Sequence, residues 1–181
     1  YYPQLCLVQI SDGAIAVAID PLATRLDLTP LWTLMRDKKI VKVFHTGQQD
    51  IEIFLHQLGQ LPAPIYDTQL AEMVCGLGDL VGYDKLVKAL LDDEIDKTSR
   101  FTDWSKRPLS SRQIAYALDD VIYLAQLYPL MKKRIADDGR TDWLDEEYAK
   151  LNDPATYVTA PTDAWQRLKI RNMRPPALRR L

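Results

Sequence analysis

The sequence has 181 residues, is 47% hydrophobic and 27% charged, and carries a net charge of −2. This is the composition of an ordinary globular domain, and the charge argues against a protein that coats nucleic acid in bulk. With no signal peptide and no apolar run long enough to cross a bilayer, a cytoplasmic protein without a membrane partner is expected. The two cysteines, Cys6 and Cys75, fit neither a metal motif nor a secreted disulfide framework, and Cys6 is expected to be buried. No obligate protein partner is indicated.

The first part of the chain predicts strands followed by helices. Leu5–Ile10 and Ala14–Ile19 are short apolar runs joined by an Asp-Gly turn, a pattern typical of a hairpin. Leu28–Met35 has helical spacing, and Ile40–Phe44 reads as a third strand.

The next segment predicts a strand that runs directly into a helix. Thr46-Gly47-Gln48-Gln49 matches the T-x-x-Q capping box. A fourth strand is expected at Ile65-Tyr66, and Asp67-Thr68 is expected to cap the helix after it. The apolar positions of the helix after the capping box are Ile51, Phe54, Leu55 and Leu58.

The second half of the chain is predicted to be helical. The glycine loop Gly76–Gly82 does not match the dinucleotide fingerprint, because its spacing is too long and a helix precedes it. Helices are expected at Asp84–Leu91, at Ser111–Ile135 and near Trp143–Leu151. The fold class is therefore α/β, with an antiparallel hairpin joined to parallel strands.

A proline-flanked linker, Asn152–Pro161, predicts a domain boundary near its start. We expect one domain over residues 1–153, and a linker and the beginning of a second, helical element over residues 154–181. No acidic residue follows Asp163, whereas several basic residues do, which is typical of a solvated helix face or of a nucleic-acid contact.

Three side chains are candidates for chemistry. Asp50 falls in the first turn of a helix entered from a strand, although acidic residues at this position also complement the helix dipole. Tyr116 and Asp120 lie one turn apart on the long helix. Asp120 borders the predicted apolar stripe, whereas Asp119 is expected to point to water. That stripe comprises Ile114, Ala117, Leu118, Val121, Leu124, Tyr128 and Met131.

Two carboxylates and a tyrosine in this arrangement suit metal-assisted phosphodiester hydrolysis. Mg²⁺ and Mn²⁺ prefer hard oxygen ligands, and two ions roughly 4 Å apart can stabilise the attacking and leaving oxygens. A tyrosine one turn from a metal ligand can orient the attacking water.

Several segments resemble the ribonuclease D branch of the DEDD exonucleases over roughly Tyr1 to Asp153. Tyr2–Ile10 is similar to the strand that follows the first motif of that family. His45–Asp50 resembles the second motif. Asp103–Leu109 together with Tyr116–Val121 resembles the third, whose Tyr-x-x-x-Asp form marks the tyrosine subclass.

The resemblance implies roles for these residues. Asp120 would bind a divalent ion, Asp50 would help to hold a second one, and Tyr116 would position the water. His45 and Gln49 would contact the terminal nucleotide, although a structural role for His45 and a capping role for Gln49 are equally compatible with the sequence.

Arg107 would reach an RNA phosphate or brace the loop before the long helix. The last residues, 154–181, look similar to the opening of the helical RNA-binding domain that follows the nuclease in this family.

The resemblance also implies a ribonuclease H-like mixed sheet flanked by helices. The Asp-x-Glu motif of the family stands on a central strand immediately before the stretch that matches Tyr1–Ile10, so that first strand is missing from this sequence. We therefore expect the natural polypeptide to extend upstream; the alternative is a catalytically inactive fragment.

The expected function is a 3′→5′ exoribonuclease that uses two Mg²⁺ or Mn²⁺ ions. It would trim RNA with a free 3′ end, such as tRNA precursors, and release nucleoside 5′-monophosphates. The alternatives are a DNA exonuclease of the same fold and a non-catalytic RNA-binding module.

Overall fold

The computed structural model describes residues 4–76 and 82–157. Residues 77–81 of the predicted glycine loop, and the helix predicted from Thr162, lie outside the described residues. The elements of the described ranges are β1 (Val8–Ser11), β2 (Ala16–Ile19), α1 (Thr29–Arg36), β3 (Lys42–Phe44), α2 (Gln48–Leu58), β4 (Ile65–Asp67), α3 (Thr68–Cys75), α4 (Tyr83–Leu91), α5 (Ser111–Asp137) and α6 (Thr141–Leu151), with 3₁₀ turns at Lys97–Ser99 and Pro154–Thr156.

The four strands form two separate pairs. β1 and β2 are antiparallel, with Val8 opposite Ile19, whereas β3 and β4 are parallel, with Lys42 opposite Ile65. A cleft separates the pairs, and consecutive residues of both β1 and β3 line it. Neighbouring residues of a strand point to opposite faces of its sheet. Since the cleft touches consecutive residues, it lies along the edges of β1 and β3 and not over one face. Within residues 4–76 and 82–157, neither edge has a strand partner.

The hairpin is confirmed, but its turn is longer than predicted. Asp12 accepts hydrogen bonds from the amides of Ala14 and Ile15 at 2.9 and 2.8 Å. Gly13 has φ +91°, a conformation that favours glycine. β2 consequently begins at Ala16 rather than Ala14.

The long helix α5 packs against both strand pairs. Its first turn carries a capping box that the sequence analysis overlooked, in which Ser110 and Gln113 bind each other's backbone amides. The predicted stripe is partly wrong: Ile114 is exposed, and Leu127 is buried instead. The reason is that the first half of α5 faces the cleft, so only its second half enters the main core. The residues of α5 that are buried are Ala117, Leu127, Met131 and Ile135.

The core extends to the end of the described chain. Ile51, Ile65, Leu151 and Tyr157 form one of its buried clusters. The hydroxyl of Tyr157 donates to the Leu151 carbonyl at 2.7 Å, so the 3₁₀ turn before it stays attached to the α/β domain.

Two smaller expectations can also be compared with the structure. Cys75 is buried, but Cys6 is only half-buried, because β1 begins two residues after it and its segment borders the cleft. None of the described helices is both long and apolar enough to cross a membrane.

A candidate active site in the cleft

The cleft between β1 and β3 is lined by four of the six candidate residues. His45 and Asp50 line it from the β3–α2 corner, and Tyr116 and Asp120 line it from α5. Residues distant in sequence, on two unconnected elements, therefore meet in one space. Gln49 and Arg107 are not among its lining residues.

The β3–α2 corner is built around Asp67, whose exposed fraction is 3%. Its carboxylate accepts hydrogen bonds from the amides of Thr46 at 3.1 Å, Gly47 at 2.7 Å and Gln69 at 2.8 Å. The bond from Gln69 is the predicted cap of α3, and the other two fix the turn that leads to Asp50. A Cβ atom on Gly47 would lie 2.5 Å from Cβ of Phe44, so only glycine fits this turn.

The capping box predicted at Thr46 is wrong. Thr46 has φ +58°, Gly47 is the N-cap of α2, and no side chain caps this helix. The amides of the turn bind Asp67 instead, which removes the need for a local cap. Gln49 is exposed on the first turn, where its predicted contact with the terminal nucleotide stays a prediction.

Asp50 lines the cleft; part of its side chain is open to solvent, but protein surrounds much of its carboxylate. Desolvation by the surrounding protein raises its pKa, and the negative charge of Asp67 raises it further. A cation bound next to Asp50 would relieve both effects.

Asp120 is half-buried in the wall of the cleft. Burial raises its pKa to about 6, and the charge of Asp119 adds to the rise while Arg100 opposes it. No described residue donates a hydrogen bond to its carboxylate. A desolvated carboxylate without a donor is costly, and a metal ion is one of the partners that offset this cost.

Asp119 differs from its neighbour in position rather than in burial. It is half-buried and does not line the cleft, so the expectation that it points fully to water is wrong. Burial raises its pKa, and the charges of Asp93 and Asp96 raise it further, because the segment after α4 packs beside it.

Tyr116 stands one helical turn before Asp120 and is half-buried. Burial raises the pKa of its phenol, and the charge of Asp120 contributes, so the hydroxyl remains protonated and can donate a hydrogen bond. The ring of Trp104 lies 6.1 Å from the Tyr116 ring, centroid to centroid, and limits its movement.

Tyr83 is a site residue that the sequence analysis missed. Its hydroxyl donates to the main-chain carbonyl of Asp120, and its ring lies 4.8 Å from the His45 ring. It thereby joins the two halves of the cleft. Tyr83 follows Gly82 at the start of α4, and nothing in the sequence around it distinguishes it from an ordinary core tyrosine.

The contacts of Thr68 favour one tautomer of His45. The hydroxyl of Thr68 has one proton, which it can donate to the Phe44 carbonyl at 3.1 Å. In that arrangement Nδ1 of His45, 3.0 Å from the same hydroxyl oxygen, is the donor of the second hydrogen bond. Nε2 consequently keeps a lone pair and can accept a hydrogen bond from a ligand in the cleft.

We expect nuclear magnetic resonance to find His45 as the Nδ1–H tautomer with a pKa below the ordinary 6.5. Burial lowers this pKa, and the nearby charge of Asp67 only partly compensates. A ¹⁵N-resolved titration measures both quantities, and Thr68→Val should weaken the tautomer preference because it removes the acceptor. An Nε2–H tautomer in the unmutated protein would contradict the assignment.

Arg107 uses all five of its donors within the protein. Its Nε and Nη2 bind the two oxygens of Asp20 at 2.7 and 2.6 Å. Nη2 also binds the Cys6 carbonyl at 2.6 Å, and Nη1 binds those of Trp104 and Lys106, each at 2.8 Å. This geometry favours the loop brace over the phosphate contact among the two roles considered from the sequence.

If Arg107 is a brace, Arg107→Ala and Asp20→Ala should both lower the melting temperature, Arg107→Ala by more because it also removes three hydrogen bonds to main-chain carbonyls. The double variant should lose no more than Arg107→Ala alone, because both changes remove the same ion pair. Thermal unfolding measures this, with exposed Lys106→Ala as the matched control. An unchanged melting temperature for Asp20→Ala, with a raised KM for RNA in Arg107→Ala, would favour the phosphate contact.

The donor set fits part of a divalent metal site. Asp50 and Asp120 supply hard carboxylate oxygens in one cleft, while the carboxylate of Asp67 is occupied by backbone amides. No group of three or more His, Cys, Asp and Glu that could hold a metal occurs within the described ranges. Other oxygen ligands would have to complete the coordination.

Comparison with known proteins assigns the family. The sequence family described as 3′-5′ exonuclease matches residues 1–136. The chain belongs to this family. The ribonuclease D of Zymomonas mobilis is 49% identical over 182 residues, which is 100% of this chain and 47% of that protein. The ribonuclease D of Acidiphilium cryptum is 53% identical over 171 residues, 94% of this chain and 44% of that protein. The chain thus spans less than half the length of these relatives.

Two solved structures have a similar fold. Escherichia coli RNase D, described as an exoribonuclease involved in structured RNA processing, has a TM-score of 0.84 and 36% identity, and the match covers 92% of this chain and 44% of that one. Brucella melitensis NrnC has a TM-score of 0.77 and 31% identity, over 92% and 81%. NrnC has also been solved bound to pGG and with bound Mg²⁺. These matches confirm the ribonuclease H-like α/β fold and the resemblance to ribonuclease D.

Proposed function

We propose that this protein is a metal-dependent 3′→5′ exoribonuclease. The observation that carries the proposal is the meeting of Tyr116 and Asp120 with Asp50 in one cleft. Tyr116 and Asp120 belong to the segment that resembles the third motif of the DEDD exonucleases, and Asp50 to the segment that resembles the second. The ribonuclease D relatives at about 50% identity support RNA as the substrate.

Asp120 and Asp50 would hold two divalent ions, Mg²⁺ or Mn²⁺, together with the carboxylates of an Asp-x-Glu motif. When bound, such ions supply a metal-activated water and stabilise charge on the leaving oxygen. The bound Mg²⁺ of NrnC supports this choice of metal.

The remaining steps belong to the side chains of the cleft. The protonated hydroxyl of Tyr116 donates a hydrogen bond that orients the attacking water at the phosphorus atom. Trp104 and the turn held by Asp67 keep Tyr116 and Asp50 in place before substrate binds, which reduces the entropic part of the barrier. Nε2 of His45 accepts a hydrogen bond from a hydroxyl of the terminal ribose, and Gln49 contacts the same nucleotide from the rim. The products are a nucleoside 5′-monophosphate and an RNA shortened by one residue.

The physiological substrates we propose are structured RNAs with a free 3′ end, such as tRNA precursors, met in the cytoplasm. The Escherichia coli relative is described as acting in structured RNA processing, which supports this class. Residues 154–181 would begin a helical domain that helps to bind such RNA.

The test is a hydrolysis assay on a polypeptide that includes an Asp-x-Glu motif immediately before Tyr1. With Mg²⁺ or Mn²⁺, 5′-labelled RNA should shorten one nucleotide at a time while mononucleotides accumulate. A matched DNA of the same sequence separates the DNA-exonuclease alternative. RNA binding without any mononucleotide release would instead favour the non-catalytic module.

A further inference from the structure

A basic loop with a solvent-exposed aromatic ring lies beside the cleft. Residues 97–112 contain five basic residues and one acidic residue, Asp103. Lys97 is paired with Asp84, Lys106 with Asp103 and Arg107 with Asp20, so Arg100 and Arg112 are the cations of this loop without an ion pair among the described residues. Within this loop the side chain of Phe101 has an exposed fraction of 91%. Burying a phenylalanine against protein is normally favourable, so a ring held in water next to a candidate active site requires an explanation.

Arg100 contacts both the Phe101 ring and the cleft of the candidate active site. Its side chain lines the cleft, and its guanidinium carbon lies 5.2 Å from the centre of the Phe101 ring. Tyr116 and Asp120 line the same cleft, so Arg100 faces the proposed catalytic residues while it also contacts the exposed ring.

The residues on either side of Arg100 and Phe101 in sequence, Ser99 and Thr102, line a second, open depression of about 540 Å³. Lys106 and Arg112 also line it, together with the acidic Asp103. A positively charged path with an aromatic ring in it is the arrangement that binds single-stranded nucleic acid: the cations contact phosphates, and the ring stacks on a base.

The direction of the path follows from the proposed reaction. A 3′→5′ exonuclease holds the terminal nucleotide inside the cleft, so the rest of the strand must leave across its rim. Arg100 lies in the wall of the cleft, and Phe101 comes directly after it on the outside. A base on the 5′ side of the scissile phosphate would therefore meet the Phe101 ring as the strand leaves.

We propose that Arg100 and Phe101 form a binding subsite for a nucleotide on the 5′ side of the scissile phosphate, with Phe101 stacking on its base and Arg100 binding its phosphate. This rests on the proposed exonuclease function. The subsite recognises single-stranded RNA with little sequence preference, because every base offers a flat face to stack on.

The chain offers a matched control for Phe101. Trp143 on α6 has an exposed fraction of 62%, and the Arg140 guanidinium lies 5.6 Å from its ring centre. This is the same arginine–aromatic pair, but neither residue lines the cleft. Phe101→Ala and Trp143→Ala thus remove equivalent exposed rings at two different places.

The experiment measures binding of a single-stranded RNA of about 12 nucleotides, a length sufficient for such a groove, to the full chain without divalent metal, so that no hydrolysis occurs. Phe101→Ala should weaken binding by about tenfold, Phe101→Trp should restore it, and Trp143→Ala should leave it unchanged. The melting temperature of Phe101→Ala should equal that of the unmutated protein, since the ring makes little contact within the fold.

A set of RNAs with one abasic residue at successive positions from the 3′ end locates the subsite. At one position the abasic residue should weaken binding to the unmutated protein but cause no further loss with Phe101→Ala, because both changes remove the same stack. With Trp143→Ala the two losses should add at every position. The subsite would be overturned if the losses with Phe101→Ala were also additive at every position. It would also be overturned if Phe101→Ala left the RNA affinity unchanged and lowered the melting temperature.

The exonuclease proposal is tested separately by adding Mg²⁺ to the same RNAs with a polypeptide that includes an Asp-x-Glu motif immediately before Tyr1, carrying the same Phe101 and Trp143 variants. If Phe101→Ala releases mononucleotides at the same rate as the unmutated protein and binds the RNA with the same affinity, the subsite alone is overturned. Binding that depends on Phe101 without any release would support the subsite and overturn the exonuclease.

Discussion

Replacing Asp120 by Asn should abolish RNA hydrolysis while making the metal-free protein more stable. Removal of a reacting group or metal ligand typically costs an enzyme at least about a thousandfold in turnover. The gain in stability follows from the half-buried carboxylate, whose pKa is raised to about 6 by desolvation. A neutral side chain of the same shape avoids that desolvation, so urea denaturation should show a gain on the order of 1–2 kcal/mol at pH 7.

The gain should depend on pH in a defined direction. Since the pKa of Asp120 is higher in the folded than in the unfolded protein, protonation stabilises the fold, and this stability is lost as pH rises through about 6. The difference between Asp120→Asn and the unmutated protein should therefore be largest above pH 6 and disappear near pH 4. Guanidine or urea titrations across this range measure it.

Asp119→Asn provides the control for this prediction. Asp119 is also half-buried and also has a raised pKa, but it does not line the cleft. Its variant should share part of the gain in stability and keep full activity. Mg²⁺ should raise the melting temperature of the unmutated protein and of Asp119→Asn, but not that of Asp120→Asn. Equal activity in both variants would remove Asp120 from the site.

Replacing Asp67 by Ala should produce the largest loss of stability. The variant leaves the amides of Thr46, Gly47 and Gln69 without their acceptor; the bond from Gly47 is buried, and the other two are part-buried. An unpaired buried donor costs about 1–3 kcal/mol, so a total loss of about 3–5 kcal/mol in the free energy of unfolding is expected. This is a large share of the stability of an ordinary domain.

Asp67→Asn distinguishes the contributions of the two carboxylate oxygens, because it replaces one of them by an NH₂ group. One amide oxygen can still serve Thr46 and Gln69, whereas the amide nitrogen would face the N–H of Gly47, donor against donor. Its loss of stability should be smaller than that of Asp67→Ala. The solvent-exposed Asp12, which also accepts two backbone amides, provides the control, and Asp12→Ala should change stability far less. A loss no larger than that of Asp12→Ala would contradict the role of Asp67.

Activity should fall together with stability in the Asp67 variants, even under conditions where they remain folded. The turn at Thr46 and Gly47 leads directly into the helix that carries Asp50, so loosening it displaces a proposed metal ligand. A small displacement of a catalytic group is sufficient to reduce turnover strongly. Folded Asp67→Asn with full turnover would show that Asp50 is positioned by other contacts.

Local periodicity was sufficient to select some of the site. The helical repeat places Asp120, and not Asp119, beside Tyr116 on one face, and this selection depends only on residues four apart. The position of Asp50 followed in the same way from a strand running into a helix. Both inferences use short-range geometry, which the sequence specifies directly.

Other parts of the site depend on contacts between distant residues. The capping box expected at Thr46 does not form, because Asp67, about 20 residues later, binds the amides of that turn. Arg107 likewise binds Asp20, 87 residues away, which no local pattern indicates. Such partners are chosen by packing, since a side chain binds whichever acceptor the fold brings to it.

The sequence by itself therefore determined the α/β class and the order of the elements, and it was enough to propose the two carboxylates and their tyrosine as a site. Only the tertiary structure decided that Asp67 supports the corner, that Tyr83 joins the halves of the cleft and that Arg107 is held by Asp20. The physical reason is the range of the interactions: repeat patterns act within one element, whereas these hydrogen bonds form only after separate elements have packed together.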